Sequence, residues 1–307
     1  MLATLTDDRF DSPDWIFERK WDGIRCLAVR SADGSVRLLS RNQQDMTATY
    51  PEVADAIAPQ DLPMTVDGEI VVFVKGRTSF ERLQQRGGIH DEDEARASRV
   101  RVTYCVFDLL SLDGHDLRDQ PLLDRKRLLR KAVNWGAPLR WTAHRNETGI
   151  AAYQAACERG DEGVIAKRAS SRYVGGRSKD WLKFKCAHGQ EFAVGGWTDP
   201  AGSRTGFGAL LLGYYADGSF VYAGKVGTGF DTTLLTSLRK QLDALTVTSS
   251  PFDRGTIRER GVHWVRPEIV AQIGFAEWTR DGLLRQARFQ GLREDKAASE
   301  VVREVPR

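Results

Sequence analysis

Apolar and polar residues alternate through the first forty residues of the chain. Between 14 and 41 the alternation breaks at Asp22-Gly23 and at Asp33-Gly34, with Ile24, Leu27, Val29, Val36 and Leu38 around the breaks. Period-two alternation interrupted by Asp-Gly pairs predicts strand, turn, strand, turn, strand. Two denser runs follow, VDGEIVVFV at 66–74 and VRVTYCVFDLL at 100–110. Both are rich in the β-branched and aromatic residues that suit a pleated, half-buried surface. Between them, SFERLQQR (79–86) reads as a short helix with Ser79 as its N-cap. Residues 121–133 read as a second helix, with Leu122, Leu123, Leu128 and Leu129 on the apolar side and basic residues opposite. A third spans 148–159, opened by Thr148 and closed by Gly160. EGVIAK (162–167) and WLKFK (181–185) are two more strands. The loop between them, SSRYVGGRSKD, is too basic and too aromatic to be a plain linker.

After Cys186 the texture changes. Residues 190–230 hold three glycine-rich β segments, EFAVGGW, FGALLLGYY and SFVYAGKVGTGF. A helix over 231–245 follows, then β segments around 269–278 and 283–289. Five strands with one inserted helix predict a small barrel of the OB type. The total of 307 residues also favours two domains, because a single core stops growing by about 250–300 residues. The boundary is placed between 187 and 188, giving domains over 1–187 and 188–307.

Composition narrows the class. Hydrophobic residues are 41% and charged residues 28%, a globular balance. No apolar run approaches the ~18–20 residues of a membrane helix. The opening MLATLTDDRF carries acids where a signal peptide carries basic residues, so a cytoplasmic protein without a membrane partner is expected. Cys26, Cys105, Cys157 and Cys186 form no C-x-x-C pair and are expected to be reduced. The five histidines show no zinc-ligand spacing. With 45 basic and 42 acidic residues the net charge is +3, which does not by itself announce a nucleic-acid partner.

The sharpest local signal is Lys20-Trp-Asp22-Gly23-Ile-Arg25. It reads either as a surface hairpin or as a lysine nucleophile fixed beside a turn. A lysine at its usual pKa of about 10.4 is protonated and cannot attack; burial and neighbouring cations make it reactive. Lys183 and Lys185 alternate along one strand and face the same side. Together with a divalent metal they are expected to depress the pKa of Lys20 and to hold a phosphate. Glu69, after Asp67-Gly68, and Glu162, before Gly163, are acids flanked by apolar β residues. Each lies on an exposed strand face or is paired with a metal, a ribose hydroxyl or an arginine. There is no G-x-x-x-x-G-K-[ST] and no G-x-S-x-G, and Gly227-Thr-Gly229 lacks the third glycine of a dinucleotide loop.

In order, the chain carries ERKWDGIR (18–25), SR (40–41), VDGEIV (66–71), FDLL (107–110), EGVIAK (162–167), WLKFK (181–185) and LREDK (292–296). This ordered set resembles the covalent nucleotidyltransferase superfamily and, within it, the ATP-dependent DNA ligases. SFERLQQR, LDGHDLRDQPLLDRKRLL (112–129) and SRYVGGRSKDWLKFK (171–185) resemble ligase segments too, and the likeness runs from about Trp15 to Lys296. The resemblance implies an α+β fold. Its ATP-grasp-like adenylation domain would be of antiparallel sheets with helices, followed by a C-terminal OB-fold β-barrel. It implies that Lys20 becomes adenylylated and that Glu18 reads the adenine amino group. Arg25 and Glu69, with Arg41 nearby, would contact the ribose, and Phe107 would stack on adenine. Glu162, with Glu69, matches the metal-associated acids. Lys167, Lys183 and Lys185 match phosphate-contacting lysines. Arg293, Asp295 and Lys296 match a C-terminal motif that approaches the ATP pyrophosphate.

The implied cofactors are ATP, as AMP donor, and Mg²⁺ or Mn²⁺, and the implied substrate is nicked or broken duplex DNA. Because the C-terminal motif and the DNA-facing surface cannot act in one pose, a hinge motion near 186–190 is expected. Lys20 stands close to the first residue, which places the resemblance with compact bacterial ligases of end joining and repair, nucleoid-associated and monomeric, rather than with larger cellular ones. The 15 basic and 14 acidic residues after 187 predict weak, salt-sensitive DNA binding. An end-binding protein and a repair polymerase are plausible partners that no feature names. The competing readings are an mRNA-capping guanylyltransferase, an RNA ligase and a non-enzymatic OB protein. Nucleotide preference, the acceptor strand, and loss of Lys20 or Glu162 would respectively mark them.

Overall fold

The computed structural model describes residues 1–186, 189–202 and 204–304. They separate into two compact units, one from Met1–Cys186 and one from 189–304. The expected boundary at 187/188 lies outside the described residues.

The first unit holds two sheets. One runs in the order Leu2–Leu5, Arg177–Lys185, Gly163–Arg168, Ser12–Arg19, His144–Glu147. The other runs Leu139–Trp141, Thr103–Leu112, Met64–Val71, Ile24–Arg30, Val36–Ser40, with His115–Asp116 beside Thr103–Leu112. Both are mixed rather than purely antiparallel, because Leu2–Leu5 pairs parallel with Arg177–Lys185 and Leu139–Trp141 with Thr103–Leu112. These two short edge strands carry too few residues for an alternation to register in the sequence.

Strand periodicity divides each sheet into a dry face and a polar one. In the first sheet Trp15, Phe17, Val164, Ala166 and Phe184 form a core with Ala152 and Ala156 of the helix Gly149–Glu158. In the second, Cys26, Ala28, Val66, Ile70, Tyr104 and Val106 pack with the helices Pro51–Ile57 and Phe80–Gly87. Ser79 caps Phe80–Gly87 as expected, accepting from the Arg82 N–H at 3.2 Å. Gly23, read as a turn glycine, is required for a different reason: a Cβ there would lie 2.1 Å from the Ile70 carbonyl oxygen.

Two expectations fail in this unit. The helix Leu122–Ala132 buries Leu122, Arg125, Lys126 and Leu129, whereas Leu128 is exposed. The inward stripe at i, i+3, i+4, i+7 therefore carries two cations, because two buried carboxylates lie beneath it. Cys157, at the end of its helix, and Cys186, at the end of its strand, are joined in a disulfide. Cys26 and Cys105 are free and buried. The element ends bring the Cα atoms within 5.2 Å, a juxtaposition that cysteine spacing does not reveal.

The second unit is an OB-type domain whose sheet has seven strands. Gly189–Thr198 is its spine. It pairs with Leu210–Ala216 along one edge, and along the other first with Val270–Gly274 and then with Val262–Val265. Ser219–Val226 and Arg288–Leu292 extend the two sides. No pairing closes it into a complete barrel among the described residues. Val262–Val265 is a strand the sequence pattern did not offer, being four residues after a long polar run. The helix Thr232–Ala244 is capped by Asp231 and buries Leu235, Leu238 and Leu242. No helix among the described residues is long and apolar enough to cross a membrane.

Candidate active site

Register fixes what stands on the polar face of the first sheet. Glu18 pairs across to Ile165 and Ile165 to Lys183; Ile16 pairs to Lys167 and Lys167 to Trp181. Beyond the strand end, the Lys20 N–H donates to the Gly163 carbonyl at 2.9 Å, and Gly163 pairs with Lys185. Directly opposed residues share a face, so Glu18, Lys20, Lys167, Trp181, Lys183 and Lys185 lie on one side. Gly163, at φ +147°, would press a Cβ against the Phe184 carbonyl at 1.9 Å.

The second sheet offers a matching face. Arg25 pairs with Glu69, and Asp67 lies two residues along on the same side. Between Val106 and Asp108 the register slips, so Phe107 sits at a bulge. A bulge re-aims a side chain, and Phe107 meets Trp181 of the first sheet edge-on, with centroids 6.0 Å apart. The Lys167 ammonium lies 4.2 Å from the Phe107 centroid and 3.9 Å from that of Trp181, while the Arg25 guanidinium covers Phe107 at 4.8 Å. Tyr173, from the basic loop, donates to Asp67 at 2.8 Å.

The face is dry at one end and wet at the other. At the dry end the Glu18 carboxylate takes Lys126 at 2.5 Å and Lys167 at 2.6 Å. Lys126 also donates to the Thr142 and Phe107 carbonyls at 3.1 and 3.3 Å. Burial alone would raise the Glu18 pKa, but the two ammonium groups hold it below the usual value. Burial pushes Lys167 down to about 8, with Lys126 adding to the shift and Glu18 opposing it. Beside them Arg25 makes a two-pronged pair with buried Asp67, at 2.6 and 2.5 Å. Asp67 is likewise held low, Arg25 outweighing burial. Arg125 and Asp108 form a further pair at 2.8 Å, and this one is fully buried.

At the wet end Lys20 is ion-paired with Glu162. Its pKa is raised: burial works against the charge, but Glu162 outweighs it, with Asp22 and Glu69 adding. The expected depression by Lys183 and Lys185 is not what the structure has, because a carboxylate rather than an ammonium stands at Nζ. Arg41 is exposed and leaves its strand beside Arg25, since Ser40 pairs with Cys26. Arg293 forms a two-pronged pair with Asp295, at 2.8 and 2.7 Å, and Lys296 lies 3.2 Å from Glu191, all in the second unit.

A lysine just past a strand end, an acid at its nitrogen and a buried Glu18 cluster beside Phe107 and Trp181 suit covalent capture of a nucleotide. Comparison with known proteins is decisive. Residues 1–185 match the model of the ATP dependent DNA ligase domain, and residues 203–296 that of the ATP dependent DNA ligase C terminal region. This chain belongs to the ATP-dependent DNA ligases. It is 42% identical over 302 residues to the multifunctional non-homologous end joining protein LigD of Pseudomonas aeruginosa, covering 95% of this chain and 35% of that one. It is 41% identical over 315 residues to the LigD protein of Mycobacterium tuberculosis, covering 99% and 39%. The chain thus spans little more than a third of these relatives. Among solved structures, mycobacterial DNA ligase D complexed with ATP and MES is 37% identical with a TM-score of 0.68, covering 99% of this chain and 98% of that one.

Within this ligase-family site the sequence reading missed three groups. Lys126 was assigned to an outward face, although a buried Glu18 demands a cation. Trp181 and Tyr173 were read only as parts of motifs. Among the described residues no three His, Cys, Asp or Glu side chains gather into a metal group. A magnesium-type ion bound through one or two carboxylates and phosphate oxygens requires none, and Glu162 with Glu69, both acting on Lys20, offers such donors.

Proposed function

We propose that the chain seals breaks between a 5′-phosphate and a 3′-hydroxyl in duplex DNA, using ATP and a lysyl-AMP. The observation that carries this is Lys20, held with Glu162 two residues beyond the Glu18–Lys126–Lys167 cluster on one sheet face. In the first step Lys20, charged and paired with Glu162, gives up its proton, for which the Glu162 carboxylate is the acceptor at hand, and the neutral amine attacks the α-phosphorus of ATP. A P–N bond forms, the bond to the β-phosphate oxygen breaks, and pyrophosphate leaves. The adenylate then passes to the 5′-phosphate, freeing Lys20. The 3′-hydroxyl attacks that activated phosphorus, a P–O bond joins the strand, and AMP leaves.

The residues mainly position groups and stabilise charge on phosphate oxygens. Glu18 is set to accept from the adenine amino group. Phe107 and Trp181 line the base site, and Arg25, Glu69 and Arg41 serve the ribose end. Lys167, Lys183 and Lys185 serve the phosphates, and Arg293 and Lys296 of the second unit serve the pyrophosphate. A divalent cation, Mg²⁺ or Mn²⁺, held by Glu162 and Glu69 would neutralise charge on the transferring phosphoryl group. The names of the LigD relatives motivate a role in end-joining repair, with an end-binding protein and a polymerase as partners.

A nicked, 5′-labelled duplex incubated with protein, ATP and Mg²⁺ or Mn²⁺ tests the reading. The expected result is a sealed strand, with an adenylylated DNA species when the 3′ end is a dideoxynucleotide. Uptake of GMP from GTP in place of AMP would point instead to capping chemistry, and sealing of RNA but not DNA to an RNA ligase.

A further inference from the structure

The neighbours of Lys20 on either side carry a cluster the proposed chemistry does not use. Trp21 donates its indole N–H to the Thr142 hydroxyl at 3.0 Å and meets Phe73 edge-on, with centroids 5.8 Å apart. Two guanidinium groups lie over these rings. Arg19, ending a strand of the first sheet, is 4.7 Å from the Trp21 centroid and 5.9 Å from that of Phe73. Arg140, from a strand of the second, is 5.8 and 5.2 Å away. The cluster therefore spans both sheets at the wet end of the site.

Its charge is not balanced. Buried Asp161 is ion-paired with Arg19 at 2.7 Å and accepts from Arg159 at 2.9 Å. Arg140 is exposed and has no carboxylate partner among the described residues. Arg77 adds a further cation, its guanidinium lying over Gly160. The crowding registers in Arg19, whose pKa is lowered by burial and by Arg159 and Arg140 against the pull of Asp161. Arg19 and Arg159 share one acid, with Arg140 and Arg77 close by, and cations crowded in this way favour an anion. A guanidinium held against an aromatic ring still offers N–H donors to phosphate oxygens and loses less freedom when it binds. Arginine interleaved with aromatic rings is the combination that tracks a nucleic-acid backbone.

We infer that Arg19 and Arg140, supported by Trp21 and Phe73, form the seat for the sugar–phosphate backbone of the DNA strand beside the break. The inference rests on the ligase reading and deepens it by naming where the DNA meets the adenylation domain.

The test uses the full chain and the variants Arg140→Ala, Arg140→Lys and Phe73→Ala, with Arg37→Ala, an arginine paired with Asp45, as a control. Self-adenylylation from ATP needs no DNA and reports that each variant is folded. Binding of a nicked duplex is followed by fluorescence anisotropy across a salt series. Arg140→Ala is expected to take up AMP within about twofold of wild type, to bind DNA about 5–10-fold more weakly, and to lose about one from the slope of log K against log salt. Arg140→Lys keeps the slope and loses part of the affinity, because lysine retains the charge without the planar stack. Phe73→Ala keeps the slope and weakens binding about threefold. Arg37→Ala changes neither. If Arg140→Ala takes up AMP yet binds with wild-type affinity and slope, the seat is overturned and the ligase reading stands. If wild type takes up no AMP, the ligase reading falls and the seat with it.

Discussion

Two lysine–glutamate clusters stand two residues apart, one at Glu18 within the strand Ser12–Arg19 and one at Lys20 just past its end, and they behave oppositely. Around Glu18 the side chains of Lys126 and Lys167 keep 1% and 2% of their surface, and Glu18 itself 2%. Around Lys20 the figures are 18% for the lysine and 25% for Glu162. The dry cluster has two cations to one anion, and Lys167 is held down to about 8 by burial, with Lys126 assisting. The wet cluster has one cation facing Glu162, with Asp22 and Glu69 behind, and its lysine is held up despite burial. The same residue types therefore serve two ends. The dry one is closed to solvent and the wet one is partly open to it; under the proposed function the first would hold the base and the second the phosphates.

If that division is right, parallel substitutions have different consequences. Lys126→Met, which strips one cation from the dry cluster and leaves two carbonyls without their donor, should destabilise the protein by about 3 kcal/mol. Urea unfolding measures it, and a loss below ~1 kcal/mol would erase the distinction between the ends. Glu162→Gln should change stability by no more than about 1 kcal/mol, since a partly solvated pair contributes little. It should nonetheless slow AMP uptake about 10²-fold if the carboxylate stabilises charge in the transition state. Stopped uptake assays beside the same urea curves separate the two effects.

The smallest effect sharpens the comparison by pH. Lys167 has a folded pKa of about 8 against about 10.4 unfolded. Between these values the unfolded state binds more protons, so this group makes stability rise with pH across the window. Below pH 8 the burden of its charged form is constant, and above the unfolded value the gain is complete. Lys167→Met should flatten the rise in urea midpoints measured from pH 8 to 10, whereas Glu162→Gln should leave it in place.

The strands that build this face were legible because their alternation is strong: Ser12–Arg19, Met64–Val71 and Gly163–Arg168 fall within or against an expected run, and Arg177–Lys185 contains the expected 181–185 but begins four residues earlier, in what reads as loop. Lys20 stood out through the hexapeptide Lys20-Trp-Asp22-Gly23-Ile-Arg25, and Glu162 because an acid flanked by apolar β residues does. Lys126 was hidden because its helix has enough leucines to suggest an apolar face that is rotated from the real one. What rotates it is a contact made across the fold, the approach of Glu18 and Asp108 from two different sheets. Cys157 and Cys186 were misread for a similar reason, their meeting being decided by where a helix and a strand end. The fold class is a local property of sequence, whereas the partners of buried charges and thiols are set by tertiary placement.

Intact-protein mass spectrometry tests the central claim most directly. The protein is first stripped with pyrophosphate, then incubated with ATP or GTP and Mg²⁺ beside Lys20→Ala. The account predicts one AMP-sized adduct from ATP, none from GTP and none on Lys20→Ala. An adduct that survives Lys20→Ala, or no adduct from ATP on the wild-type protein, would contradict it.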